Sequence, residues 1–328
     1  MAENHLKWYN KTLHQYLSSE EIKAVMQKSN WKAALEIADT WLWITFAFAL
    51  VAVWPNPITV IISLFIIGGK QLACAIILHD CSHDSMFTSR RANRIIGNWF
   101  GAYPILHDVD KYKPYHTQHH LNTGLDDDPD LPLTTGYPTT GISMVRKFIR
   151  DLFGLSGAKA TFAVLLMQMG LLKYALNGKA EWVSLRDKSL GSIITTAVKN
   201  LAGPLATNLV LFGILYLTGH PWLYLLWIGA MLTTYNFSLR VRSMAEHSML
   251  EERTNPLSNT RTTYANFAEQ ILFAPHHVNY HAEHHLCMGA PSYNLPMMHR
   301  LLLQRGYFEK GQLEYNYHNI VKRAIVAA

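Results

Sequence analysis

The sequence predicts an all-α integral membrane protein: two transmembrane helical hairpins, about four spans, with a cytoplasmic helical cap that carries clustered histidines. Three observations carry that reading. Long apolar runs come in pairs joined by short turns. Composition is 49% hydrophobic with 16% charged residues, well under the roughly 25% of a soluble domain. Three histidine-rich boxes lie just past the ends of the apolar runs. Mean hydropathy near zero means that a sizeable polar part lies outside the hydrocarbon.

Taken in order, residues 1–328 read as a single domain. Residues 1–38 form an amphipathic arm in which Ser18 and Glu21 stand in capping-box relation ahead of Ile22, Val25 and Met26. Trp8, Tyr9 and Trp31 suit the headgroup level; a soluble helix packed on the rest of the domain is the alternative. Residues 40–78 are the first hairpin, apolar from Thr40 to Trp54 and from Ile58 to Leu78, with Pro55-Asn56-Pro57 between. Lys70 lies inside the second run and needs a pairing partner, or a place near the substrate headgroup.

Residues 79–200 hold the first two boxes with interfacial helices. Residues 95–106 (IIGNWFGAYPIL) are apolar but too short to span and read as a re-entrant or interfacial segment; residues 160–176 read as a further interfacial helix, followed by a polar connector from Asn177 to Lys188. Residues 201–239 are the second hairpin, turning at Thr218-Gly219-His220, and residues 240–328 return to the cap. Neither hairpin turn contains Lys or Arg, so the positive-inside rule places the arm and all three boxes on the cytoplasmic side.

The net charge of +6 is spread thinly and comes with no recognition motif, so nucleic acid is not an expected partner. Cys74, Cys81 and Cys287 form no CxxC pair, which argues against a disulfide framework and a zinc ribbon. The amino terminus does not read as a signal peptide, and the tail KRAIVAA has no recognised retention signal; a bacterial inner membrane is favoured over endoplasmic reticulum.

The boxes are HDCSH (His79, His83), HTQHH (His116, His119, His120) and HAEHH (His281, His284, His285). With 17 histidines in 328 residues, HxxHH arises by chance about 0.05 times, and here it occurs twice. Spacings of three and four put each triplet on one helix face, within reach of one metal centre; surface clustering is the alternative. Eight imidazoles exceed what one ion takes, so two metals are expected. Imidazole suits iron, zinc, copper and nickel alike. A membrane location and the lack of a serine-nucleophile or nucleotide motif point to iron that activates dioxygen, with hydrolytic zinc as the alternative. Asp80, Glu283, Asn279 and the DDDPD stretch ending at Asp130 are candidate partners that orient the histidines.

The three boxes, in this order and with hydrophobic hairpins before the first and third, resemble the membrane-bound fatty acid desaturase and hydroxylase family over roughly residues 38–310. The tail HHLCMGAPSYNLPMMH is similar to that family's HHxxPxxPxxxLPxxH, although Cys287 and Met288 replace the usual aromatic and proline. Within the family the chain looks nearest to acyl-lipid and sphingolipid-type desaturases, and His281 stands where front-end desaturases carry glutamine.

The resemblance implies a non-haem di-iron centre, two Fe2+ held by the box histidines, with His247 as the additional ligand. His107, His276 and His277 stay as outside candidates. It implies O2 as co-substrate and C–H abstraction that introduces a double bond into the acyl chain of a fatty acid or lipid. A separate electron donor, a ferredoxin, rubredoxin or cytochrome b-type protein with its reductase, would dock on the basic face. A hydroxylase, carotenoid ketolase or alkene-forming decarboxylase of the same superfamily shares the ligand set. A membrane zinc hydrolase and a histidine-rich metal transporter are more distant readings.

Overall fold

A computed structural model describes residues 9, 11–176, 181–184, 188–308 and 311–326. Trp8 and most of the connector from Asn177 to Lys188 lie outside them. The chain is mostly helical. Its helices are α1 (Ser19–Val25), α2 (Asn30–Val53), α3 (Pro57–Ser82), α4 (Arg90–Gly97), α5 (Val109–Asn122), α6 (Leu131–Thr134), α7 (Gly141–Leu152), α8 (Leu155–Gln168) and α9 (Leu190–Leu217). They continue with α10 (Tyr224–Leu232), α11 (Thr234–His247), α12 (Phe267–Leu272), α13 (His281–Leu286), α14 (Leu295–Gln304) and α15 (Tyr317–Arg323). Two two-residue parallel ladders tie the carboxy-terminal region to the rest: β1 (Thr139–Thr140) with β4 (Ile325–Val326), and β2 (Thr262–Thr263) with β3 (Leu313–Glu314).

Among the described residues three helices are long and apolar enough to cross a membrane: α2, α3 and α9, of 24, 26 and 28 residues. At 1.5 Å per residue each exceeds the roughly 30 Å of hydrocarbon. The first hairpin is present and longer than its apolar core. Ser29 caps α2 eleven residues before Thr40, and Asn56 caps α3 with Pro57 in its first turn. Outward-facing Leu42, Phe46, Ile58, Leu205 and Leu209 are exposed and suit contact with lipid.

The fourth expected span is not one helix. Residues 221–239 divide into a 3₁₀ turn, α10 and the start of α11, with non-helical backbone at Thr233 (φ −117°, ψ −88°). Two threonines make the break. The Thr233 hydroxyl donates to the Gly229 carbonyl at 2.6 Å, and the Thr234 hydroxyl donates across to Leu64 of α3 at 2.5 Å. Glycine is required opposite the break: a Cβ on Gly68 would lie 2.3 Å from the Thr234 hydroxyl, and one on Gly157 would lie 2.1 Å from the Leu232 carbonyl. Beyond the break α11 packs along α3 and ends on His247.

α3 is the helix on which the fold is assembled, since α2, α5, α10, α11 and α12 all pack against it. Its residues 66–74 are buried without interruption, Lys70 among them. That lysine has found its partner, with Nζ 2.9 Å from the Asp39 carboxylate of α2. Residues 98–105 form a π turn and a 3₁₀ turn against α3, with Trp99 and Phe100 partly exposed, as an interfacial segment requires. The capping box at Ser18 and Glu21 is formed. The arm packs on the domain itself: Tyr9, Leu13, Leu17 and Val25 share a core with Leu286, Leu295, Met298 and Leu302. All three cysteines are free and buried.

Candidate metal centre

Four helix ends converge. His79 occupies the last turn of α3 and His83 is its C-cap; His116, His119 and His120 line α5; His247 ends α11; His281, His284 and His285 lie on α13. Seven of the nine are buried, His83 and His247 being intermediate, so they are not surface clusters.

The expectation that each HxxHH triplet serves one centre is corrected by the geometry. His79, His83, His116, His120 and His284 form one group, and His119, His247, His281 and His285 the other, with one ligand atom of every residue within 4.8 Å of all others in its group. Helix geometry explains the division. At 100° per residue an i,i+4 pair is 40° apart, whereas the i+3 residue lies 100° from its i+4 neighbour. The second box therefore gives the pair His116 and His120 to the first group and His119 to the second. The third box does the reverse, giving His281 and His285 to the second group and His284 to the first. The groups abut, with the His120 and His285 rings 4.3 Å apart.

This donor set fits metal. The His116–His120, His120–His284 and His247–His281 Nε2 atoms are 3.0, 3.1 and 2.8 Å apart. Metal–imidazole bonds of about 2.0–2.1 Å place neighbouring ligand nitrogens roughly 3.0–3.4 Å apart. Further ring nitrogens, including Nε2 of His79, His83 and His285, are buried with no hydrogen-bond partner, which costs stability unless something else meets them. Burial holds His116, His120, His281, His284 and His285 well below the ordinary imidazole range, in the neutral, ligating form. His119 is the exception: burial pulls it down, but Asp128 and Asp130 outweigh that and raise it.

Outer partners aim the rings. Nδ1–H of His79 donates to Asp80 at 2.8 Å, that of His119 to Asp128 at 2.8 Å, and that of His247 to the Asn259 carbonyl at 3.0 Å, which turns each Nε2 inward. Of the sequence candidates Asp80 is thus in place. Asp130 stands 3.7 Å from His119 and accepts from the Tyr115 hydroxyl, while Asp128, in the same acidic stretch, makes the direct contact. Glu283 turns away to Thr262 and His299, and Asn279 pairs with the Thr263 backbone. His276 bonds Thr40 and His107 bonds Tyr174; with His277 they stay outside both groups. Asn259 was illegible because it acts through a backbone carbonyl that any residue could supply.

The Asp128 carboxylate also accepts from the Gly124 and Asp130 amides, so it is rigid. Asp128→Asn is expected to weaken metal binding in the second group by roughly 10–100-fold, with the first group unaffected. Chelator competition on the purified protein checks this; equal weakening of both groups would contradict it.

A cavity of about 640 Å³ meets both groups, through His116 of the first and His119, His247 and His281 of the second. Tyr112, Leu78, Leu133, Val164, Met167 and Leu172 form much of the remaining wall. Another, of about 610 Å³, lies among the apolar helices against Phe48, Trp99 and Leu211 and touches none of the nine.

The family model described as fatty acid desaturase matches residues 52–319. Dihydrorhizobitoxine desaturase of Bradyrhizobium elkanii is 28% identical over 270 residues, covering 79% of this chain and 71% of that protein. The sn-1 oleoyl-lipid 12-desaturase of Anabaena variabilis is 25% identical over 256 residues, covering 76% and 67%.

Proposed function

This chain belongs to the fatty acid desaturase family, and from that premise we propose that it introduces a double bond into the acyl chain of a fatty acid or membrane lipid at a pair of irons held by the nine histidines. The observation that carries the reading is the pair of buried histidine groups, side by side at the wall of one cavity, in a chain whose long helices are apolar enough to span a membrane. Bound iron would supply the reduction of one O2 to two waters, using two hydrogens from adjacent methylenes, two electrons from an external donor and two protons.

The protein's own part is orientation and exclusion. Asp80, Asp128 and the Asn259 carbonyl fix three rings with Nε2 inward. Leu78, Leu133, Val164, Met167 and Leu172 of the cavity wall would hold the chain against His116, His119, His247 and His281. No separate general base is required. The donor would be a small redox protein, docking on the cytoplasmic face of a bacterial inner membrane, where the basic residues gather.

Iron and zinc analysis of the purified protein, with lipid mass spectrometry on cells expressing it or His284→Ala, tests this. About two irons per chain and lipids lighter by two hydrogens, both changes diminished in the variant, are expected. A gain of one oxygen would make the enzyme a hydroxylase. Zinc with no oxidised lipid would overturn the reading.

A further inference from the structure

The mouth of the histidine-lined cavity carries a charge pattern that the metal chemistry does not use. Four cations line this cavity: Arg150, Lys159, Arg240 and Arg242. Two are neutralised. Arg240 donates to Asp151 at 2.9 Å, and Arg242 lies 2.6 Å from Glu246. Arg150 and Lys159 are exposed and pair with no carboxylate among the described residues.

Their helices tell where that mouth lies. α7 exposes Ile142, Val145 and Ile149, a stripe at i, i+3 and i+7, with Arg146 and Arg150 along one side of it. α8 exposes Leu155 and Phe162, the latter at the cavity rim, while Ser156, Ala160, Ala163 and Met167 line the cavity. At 100° per residue Lys159 falls on the border between these two faces. Exposed apolar stripes edged by cations mark helices lying in the membrane interface, at headgroup depth. The lining face of α8 then runs about 12 Å from exposed Lys159 to buried Met167. Along α8 the cavity wall therefore passes from an exposed end carrying Lys159 to a buried apolar one at Met167.

We propose that Arg150 and Lys159 form a headgroup site that selects an anionic amphiphile, one with a carboxylate or phosphate head, and orients its chain toward the histidines. This rests on reading the cavity as the acyl channel. Two cations lining one cavity, with no carboxylate among the described residues to satisfy them, would form charge-assisted hydrogen bonds to such a head, and a neutral ester or sugar head forms none of comparable strength.

The test is equilibrium binding to the purified full-length protein in uncharged maltoside micelles, with stearate, methyl stearate, phosphatidylglycerol and phosphatidylcholine as probes. Wild type is expected to bind at least one anionic probe about tenfold more tightly than its neutral counterpart. Arg150→Gln with Lys159→Gln should remove that preference and leave neutral probes unchanged, and Arg150→Lys with Lys159→Arg should restore it. Preference for stearate identifies a free acid, and preference for phosphatidylglycerol a phospholipid. Neutral probes binding wild type as tightly as anionic ones, or an undiminished preference in the glutamine variant, would overturn the proposal. Binding needs no electron donor, so a protein that selects anions but holds no iron would sink the desaturase reading alone.

Discussion

Replacing His120 by alanine is expected to abolish lipid desaturation and to lower bound iron from about two to about one per chain. His120 is fully buried, and its Nε2 faces His116 at 3.0 Å and His284 at 3.1 Å, so it is the link between the box-two and box-three ligands of the first group. Removing it leaves a hole among four imidazoles whose nitrogens are fixed by helix ends and cannot close in. His285→Ala does the same to the second group, taking it from four imidazoles to three. Since the proposed reaction uses both metals, either substitution should cost at least about 10³-fold, beyond the roughly 10–100-fold typical of an outer partner. His318→Ala supplies the control, since His318 is exposed and belongs to neither group. Product yield and iron content measured on all three variants decide the matter. An active His120→Ala, or one that keeps both irons, would remove these histidines from the chemistry.

The pairing of ligands across boxes is where sequence reading reached its limit. The eight box histidines were legible, because HxxxH and HxxHH are rare enough to stand out and a helix makes their spacing meaningful, whereas His247, outside any box, was reached only through the family resemblance. Their partition was not, because the two triplets are identical in spacing and only the crossing of α5 with α13 decides which pair faces which neighbours. The hairpin from α2 to α3 was equally legible, since uninterrupted apolar residues leave few alternatives. The break at Thr233 was hidden by its composition. YLLWIGAMLTTYNF reads as one apolar run, and the hydrogen bond from Thr234 to Leu64 that rewards the break spans 170 residues of sequence. Asp128 shows a third kind of limit: of the acidic stretch the sequence singled out Asp130, and the turn after α5 instead brings Asp128 to His119.

Arg261→Ala is expected to be the most destabilising single change in the cap. The Arg261 side chain is fully buried, yet among the described residues no carboxylate hydrogen-bonds it. Its guanidinium instead donates to the carbonyls of Gly311, Ala245 and Ser248 at 3.2, 3.0 and 2.9 Å, joining the end of α11 to the segment before β3. Alanine would leave the buried carbonyls of Ala245 and Ser248, and the part-buried one of Gly311, without this donor; at roughly 1–3 kcal/mol for each buried group, a loss of about 3 kcal/mol follows. For a chain of this size that lowers Tm by roughly 5–10 °C. The consequence reaches the metal through the neighbouring residues. Asn259, two positions earlier, accepts from His247 and donates to the Thr123 carbonyl, and the Arg261 amide itself donates to Glu246 at 2.9 Å. Loosening this loop frees His247, so iron should leave the second group first. A double-variant comparison separates that from general unfolding. In an Arg261→Ala background His285→Ala should remove little further iron, whereas His120→Ala should remove most of what remains. Equal further loss from both would show that Arg261 supports the whole cap without acting on the second group.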